Sequence, residues 1–144
     1  MTPMIFVLNG PNLNLLGSRE PEIYGSETLD DIAAAMTDHA ATVGLTLDIR
    51  QSNHEGHLID WLHEAQSTGA HAVILNPGGY SHTSVALHDA VKAISTSVIL
   101  VHLTDPATRE PFRHTDLVAL AATHIIKGQG ARGYLSALDA AARL

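Results

Sequence analysis

The feature that most restricts this fold is an alternation of short apolar runs with longer segments of helical period. MIFVLN (4–9), LTLDIRQ (45–51), AVILN (72–76), SVILVHL (97–103) and THIIK (123–127) are the strand candidates. Between the first two, TLDDIAAAMTDHAATVG (28–44) reads as a helix. Thr28 can cap it, Asp31 stands three residues on, and Gly44 can end it. GHLIDWLHEAQSTG (56–69) puts Leu58, Ile59, Leu62 and Ala65 on one helical face. HTSVALHDAVKAIS (82–95) reads as a helix opened by Ser and Thr, and the tail adds a short helix and a last one near 132–143. LTLDIRQ alternates with period two, as an edge strand would. Strands and helices in such alternation imply a parallel sheet covered on both faces.

Five strands in 144 residues suggest one domain spanning 1–144, an α/β three-layer sandwich with the flavodoxin-like strand order 2-1-3-4-5. In that order a ligand binds beyond the carboxyl ends of strands 1 and 3, where the winding reverses. Three loops flank that crevice: LNGPNLNLLGSREPEIYG (8–25), NPGGYSH (76–82) and the strand-4 exit, VHLTD (101–105). A loop as long as the first is usually either functional or disordered.

Composition removes several function classes. A hydrophobic content of 45% argues against disorder, and no apolar run is long enough to span a membrane. The start, MTPMIFVLNG, lacks the basic region and long apolar stretch of a signal peptide. Zero cysteines exclude disulfide and thiolate chemistry and fit a cytoplasmic protein. A net charge of −7 with eight Lys and Arg argues against nucleic acid as a partner. Ten histidines are the oddity. HEGH (54–57) is not the HExxH metal motif, and hydrogen bonds that hold a loop suit it better than zinc. Trp61 and Met36 read as packing residues.

Several residues could carry chemistry. In NPGGYSHTS (76–84) two glycines let the backbone approach a ligand, although an ordinary strand–helix turn would use the same residues. His82 and Asp89 stand seven residues apart and share a direction on a helix, as a solvated polar face also would. Arg109 and Arg113 sit at the carboxyl rim beside Glu110 and Asp116, with which surface pairing is the ordinary alternative. His102 ends strand 4 on the same face as Leu100 and Thr104. In the long loop, Arg19 and Tyr24 form a possible pair. A free tyrosine ionises near pH 10, so a tyrosinate base at pH 7 needs about 4 kcal/mol of help. One guanidinium about 4 Å away at an effective dielectric of ~20 supplies that order of energy.

Together, NGPNLNLLGSREPEIYG, QSNHEG, NPGGYSHTSVALHDA, REPFRH and the closing GQGARGY strongly resemble type II 3-dehydroquinate dehydratase over essentially the whole chain. The resemblance implies a metal-free, cofactor-free enzyme of flavodoxin-like fold, usually a dodecamer built from trimers. It would convert 3-dehydroquinate to 3-dehydroshikimate through an enolate, in aromatic biosynthesis or quinate breakdown. By this resemblance Tyr24 is the tyrosinate base, Arg19 its supporting arginine, Asn12 the holder of a water near the enolate oxygen, and His102 the acid. Asn76, His82, Asp89 and Arg113 match the substrate-binding set, and Leu103 and Thr104 the pair whose backbone receives the carboxylate. The related type I enzymes use a lysine Schiff base, for which Lys92 and Lys127 are poorly placed.

Two departures matter. The family usually has glutamate two residues before the donor histidine, where this chain has Leu100. A carboxylate there would orient His102, and leucine does not. Thr104-Asp105 replaces the usual Ser-Asn and adds a negative charge near the carboxylate site. Leu100 motivates the alternative reading, a non-catalytic or altered-activity paralogue that binds a dehydroquinate-like ligand. A histidine-based metallohydrolase is a weaker third reading.

Overall fold

The computed structural model describes residues 2–144. All five strand candidates form strands: β1 (Met4–Asn9), β2 (Thr46–Gln51), β3 (Ala72–Asn76), β4 (Ser97–His102) and β5 (His124–Lys127). They make one all-parallel sheet in the expected order, β2-β1-β3-β4-β5. The helices are α1 (Pro21–Tyr24), α2 (Leu29–Thr42), α3 (Glu55–Ser67), α4 (Val85–Ala93) and α5 (Arg132–Ala142).

Local chemistry sets the helix ends. At α2 the Asp31 N–H donates to Thr28 Oγ1 (3.1 Å) and the Thr28 N–H donates to Asp31 Oδ2 (3.0 Å), so both halves of the capping box form. Gly44, at φ 74°, then turns the chain into β2.

Two expected helices are corrected. The helix expected over 82–95 begins only at Val85, where the Leu87 N–H donates to the Ser84 hydroxyl (2.8 Å). The residues before it, Gly78–His82, form a 3-10 helix entered at Gly78 with φ 59°. The short helix expected in the tail is replaced by two 3-10 turns, Pro106–Thr108 and Pro111–Arg113. Each opens on a proline that can start a turn, and the second proline prevents the first turn from growing into a helix.

Strand periodicity divides the core into two layers. Ile5, Val7, Ala72, Ile74, Ile99 and Val101 face α2 and α5, while Phe6, Leu8, Val73, Leu75, Val98 and Leu100 face α3 and α4. On α3, Leu58, Leu62 and Ala65 are fully buried, with Ile59 packed at their edge. Each buried leucine stabilises by about 1.5–3 kcal/mol, so this stripe outweighs the weak intrinsic stability of a helix of 13 residues.

The ends of β1 and β3 meet where the winding reverses. The Gly10 N–H donates to the Asn76 carbonyl (2.8 Å), and a Cβ on Gly10 would stand 2.6 Å from the Pro77 carbonyl oxygen. Beneath this contact, the buried Tyr134 hydroxyl donates to Asn9 Oδ1 (2.7 Å) and accepts from Asn76 Nδ2 (2.9 Å). Asn76 Oδ1 in turn accepts the Gly78 N–H (3.2 Å). Strand ends, α5 and the glycine loop are therefore held as one unit.

Candidate active site

The long loop is folded. Leu13 and Leu16 are buried against the α2/α5 layer and anchor its first half. Its second half passes through Glu20 at φ 39° into α1, whose single turn presents Tyr24. The left-handed backbone at Glu20 is uncommon for a non-glycine residue and marks the sharp reversal that aims α1.

Arg19, Tyr24, Gly78, Gly79, His82, His102, Leu103, Thr104, Pro106, Arg109 and Arg113 line a cavity with roughly 380 Å³ of unfilled space, its open side included. It lies beyond the carboxyl ends of β3 and β4, at the crevice inferred from strand order. Arg19 Nη2 donates to Tyr24 Oη (3.2 Å), and its guanidinium carbon is 4.4 Å from the centre of the tyrosine ring. Arg109 approaches the same ring at 5.1 Å. Two guanidinium groups therefore stand against one phenol ring.

Glu110 fixes the other side of the arginine group. It accepts from Arg113 Nε at 3.0 Å and stands 3.6 Å from Arg109 Nε. The Arg113 hydrogen bond, above all, holds the Glu110 carboxyl below its ordinary range. Three guanidinium groups thus line one small cavity.

Two histidines with stacked rings, 6.3 Å apart and inclined by 12°, line the same cavity as Tyr24. Consecutive residues hold them. His82 Nδ1–H donates to the Thr115 carbonyl (2.8 Å), and His102 Nε2–H donates to Asp116 Oδ2 (2.7 Å). The Leu117 N–H ties the same segment to the Ser81 carbonyl (2.7 Å), and Asp116 Oδ1 accepts the Ala119 N–H (3.1 Å). Burial by itself would raise the Asp116 carboxyl. The hydrogen bond and charge of His102, with the Ala119 N–H, outweigh burial and hold it below its ordinary range. Surface pairing with the rim arginines was one alternative for Asp116, but its carboxylate is bonded to the inner histidine.

Of the residues named from sequence, Arg19, Tyr24, His82, His102, Leu103, Thr104 and Arg113 line this cavity. Asn12, Asn76 and Asp89 do not. Asn12 takes a left-handed conformation (φ 69°) and its N–H donates to Asn53 Oδ1 (3.0 Å). Asn76 is buried in the Tyr134 network and holds Gly78 from behind. Asp89 projects from α4 with its side chain 69% exposed, next to His88 at 3.1 Å. Because His82 belongs to the preceding 3-10 helix, the seven-residue helical spacing does not align the two.

Leu100, expected where a carboxylate would orient His102, is fully buried in the α3/α4 layer. Arg109, weighed from sequence only as a rim residue beside Arg113, also lines the cavity, and Asp116 stands behind it on His102. For Arg109 the only signal was its place four residues before Arg113, and for Asp116 there was none beyond its charge. In HEGH, Ser52 bonds both histidine residues, at His57 Nδ1 (2.7 Å) and the His54 N–H (3.0 Å). Among the described residues, no three His, Asp or Glu side chains gather as a metal centre.

The sequence model of the family Dehydroquinase class II matches residues 3–142. A 3-dehydroquinate dehydratase of Caulobacter sp. (strain K31) is 56% identical over 144 residues, covering 100% of this chain and 97% of that protein. The 3-dehydroquinate dehydratase 1 of Agrobacterium fabrum is 54% identical over 140 residues, 97% of this chain and 96% of its own length. Among solved structures, the type II dehydroquinase from Propionibacterium acnes superposes with a TM-score of 0.96 at 40% identity, covering 100% of this chain and 99% of that one.

Proposed function

The chain belongs to the Dehydroquinase class II family and is a 3-dehydroquinate dehydratase, and from that premise we propose how its own residues carry the reaction. Tyr24, as tyrosinate, takes a proton from the carbon next to the substrate ketone. Arg19 and Arg109 stabilise the tyrosinate before the transfer and the enolate charge after it. His102 gives a proton to the departing hydroxyl, because hydroxide is a poor leaving group until protonated. The carbon–oxygen bond breaks, water leaves, and the product is the conjugated enone, 3-dehydroshikimate. Proton and hydroxide balance, so the step needs no redox cofactor.

Binding follows from the same cavity. Arg113 and the backbone at Leu103 and Thr104 receive the substrate carboxylate, and His82 presents Nε2 to a hydroxyl because its Nδ1 is already engaged. Asn76 acts through Gly78, whose N–H it holds to shape the cavity wall. The role lies in aromatic biosynthesis or quinate breakdown. Exposed Phe112, Leu120 and Ile125 support assembly into the dodecamer that the resemblance implies.

The observation that carries this reading is that a two-arginine tyrosine and a carboxylate-held histidine line one cavity. The test is the rise of enone absorbance when purified protein meets 3-dehydroquinate. The native protein turns over, and Tyr24→Phe lowers kcat by on the order of 10²–10⁴ while the fold survives. No turnover at high enzyme concentration refutes the reaction, and a near-native rate in Tyr24→Phe refutes the assigned base.

A further inference from the structure

We infer that Asp116 is the positioning carboxylate of the acid step: it holds His102 by Nε2 and thereby delivers the Nδ1 proton to the leaving hydroxyl. This rests on the reading of His102 as the acid.

Three observations carry it. The Asp116–His102 contact is short (2.7 Å) and sheltered, with side-chain exposures of 18% and 8%. A carboxylate and an imidazole at that depth are kept together by burial, because separating them strands a charge in a poorly solvated place. Asp116 is itself held, its second oxygen taking the Ala119 N–H, so its angle to His102 is set by the backbone. Finally, Thr115 fixes the stacked neighbour His82 in the same way, so one two-residue segment orients both imidazoles. With Nε2 committed to Asp116, the ring atom left for substrate is Nδ1. A hydrogen bond at one imidazole nitrogen decides which proton the other can offer.

The proton inventory balances. The imidazolium begins with Nε2–H on Asp116 and Nδ1–H toward the cavity. As the carbon–oxygen bond breaks, the Nδ1 proton passes to the hydroxyl oxygen and forms water. A neutral ring remains, still bonded to Asp116 through Nε2–H, and it regains its proton from solvent before the next turnover. The strand position two residues before His102 cannot supply this carboxylate, because Leu100 there is packed among apolar side chains. Asp116 reaches the same ring from the loop beyond the rim arginines.

The charged and titratable groups against His102 are Asp116 and His82, and Arg19, Tyr24, Arg109 and Arg113 line the same cavity. The four partners other than Asp116 and His82 are unchanged when Asp116 is replaced, which makes a pH profile informative.

The test compares native protein, Asp116→Asn and Asp116→Glu, with rates taken per folded fraction from thermal unfolding. In Asp116→Asn, kcat falls about 10²-fold while KM moves less than about threefold, within the range a general acid contributes. The limb on which kcat declines with rising pH moves to lower pH. Asp116→Glu recovers part of the rate. In nitrogen-detected NMR of native protein, the His102 Nε2–H gives a hydrogen-bonded downfield proton that Asp116→Asn lacks. Native turnover with kcat and pH profile of Asp116→Asn within twofold of native overturns this role alone. A loss confined to KM also overturns it. Absence of turnover in the native protein overturns the reaction and this role together.

Discussion

Tyr134 offers the sharpest test of how the site is supported from below. Its hydroxyl donates to Asn9 Oδ1 at 2.7 Å and accepts from Asn76 Nδ2 at 2.9 Å, and its residue is 0% exposed. Burial pushes the phenol well above its ordinary value, so the hydroxyl stays neutral and keeps its proton for Asn9. Tyr134→Phe removes one oxygen and leaves the ring packing in place. It orphans Asn9 Oδ1 and Asn76 Nδ2, on residues that are 1% and 3% exposed. Each stranded buried polar atom costs about 1–3 kcal/mol, so the pair costs about 2–6 kcal/mol. The lower half of that range is expected, since single substitutions beyond about 4–5 kcal/mol are exceptional. Urea unfolding followed by far-ultraviolet circular dichroism and by Trp61 fluorescence measures it. A double-mutant cycle with Asn9→Leu isolates the pair and gives a coupling of about 1 kcal/mol or more. A total loss below about 1 kcal/mol at unchanged m-value refutes the reasoning, because it means those amides find other partners.

Gly10→Ala places a methyl 2.6 Å from a backbone oxygen and 2.7 Å from its carbon at Pro77, neither of which can rotate away. The expected loss is about 1–3 kcal/mol with a raised KM, read by thermal unfolding and the enone assay, and a variant as stable as native refutes the close approach. Asp116 also sets an acid limb. Its folded value lies below the unfolded one, so its stabilisation is present above about pH 4 and fades as pH falls through the folded value. The stability gap between native and Asp116→Asn should therefore be full at pH 6–7 and shrink below about pH 4 in thermal unfolding. A gap independent of pH contradicts the pairing with His102.

How legible each feature was follows from its physical range. The capping box at Thr28 and Asp31 is read from four consecutive residues, because its bonds span one helical turn. The helix expected from 82 began three residues late, since the Gly78 backbone and the Ser84 cap compete with propensity there. Arg19 and Tyr24 were readable as a pair because five residues separate them on one loop. Leu100 lies on the same strand as His102, two residues before it, and supplies no carboxylate. Asp116 comes from another loop, 14 residues on, and is brought to His102 by the way the segment after the rim arginines folds back.

By itself, the sequence determined the parallel sheet, its order and the crevice at its carboxyl edge. Strand period, helix period and right-handed crossovers are properties of neighbouring residues and of chain connectivity. It also determined the family, because long motifs occur in a set order. Only the tertiary structure decided which side chains share the cavity and which ring nitrogen of each histidine is already hydrogen-bonded. Those depend on contacts of a few ångströms between loops that local periodicity does not couple. Arg109 over Tyr24 and Asp116 on His102 are contacts of that kind.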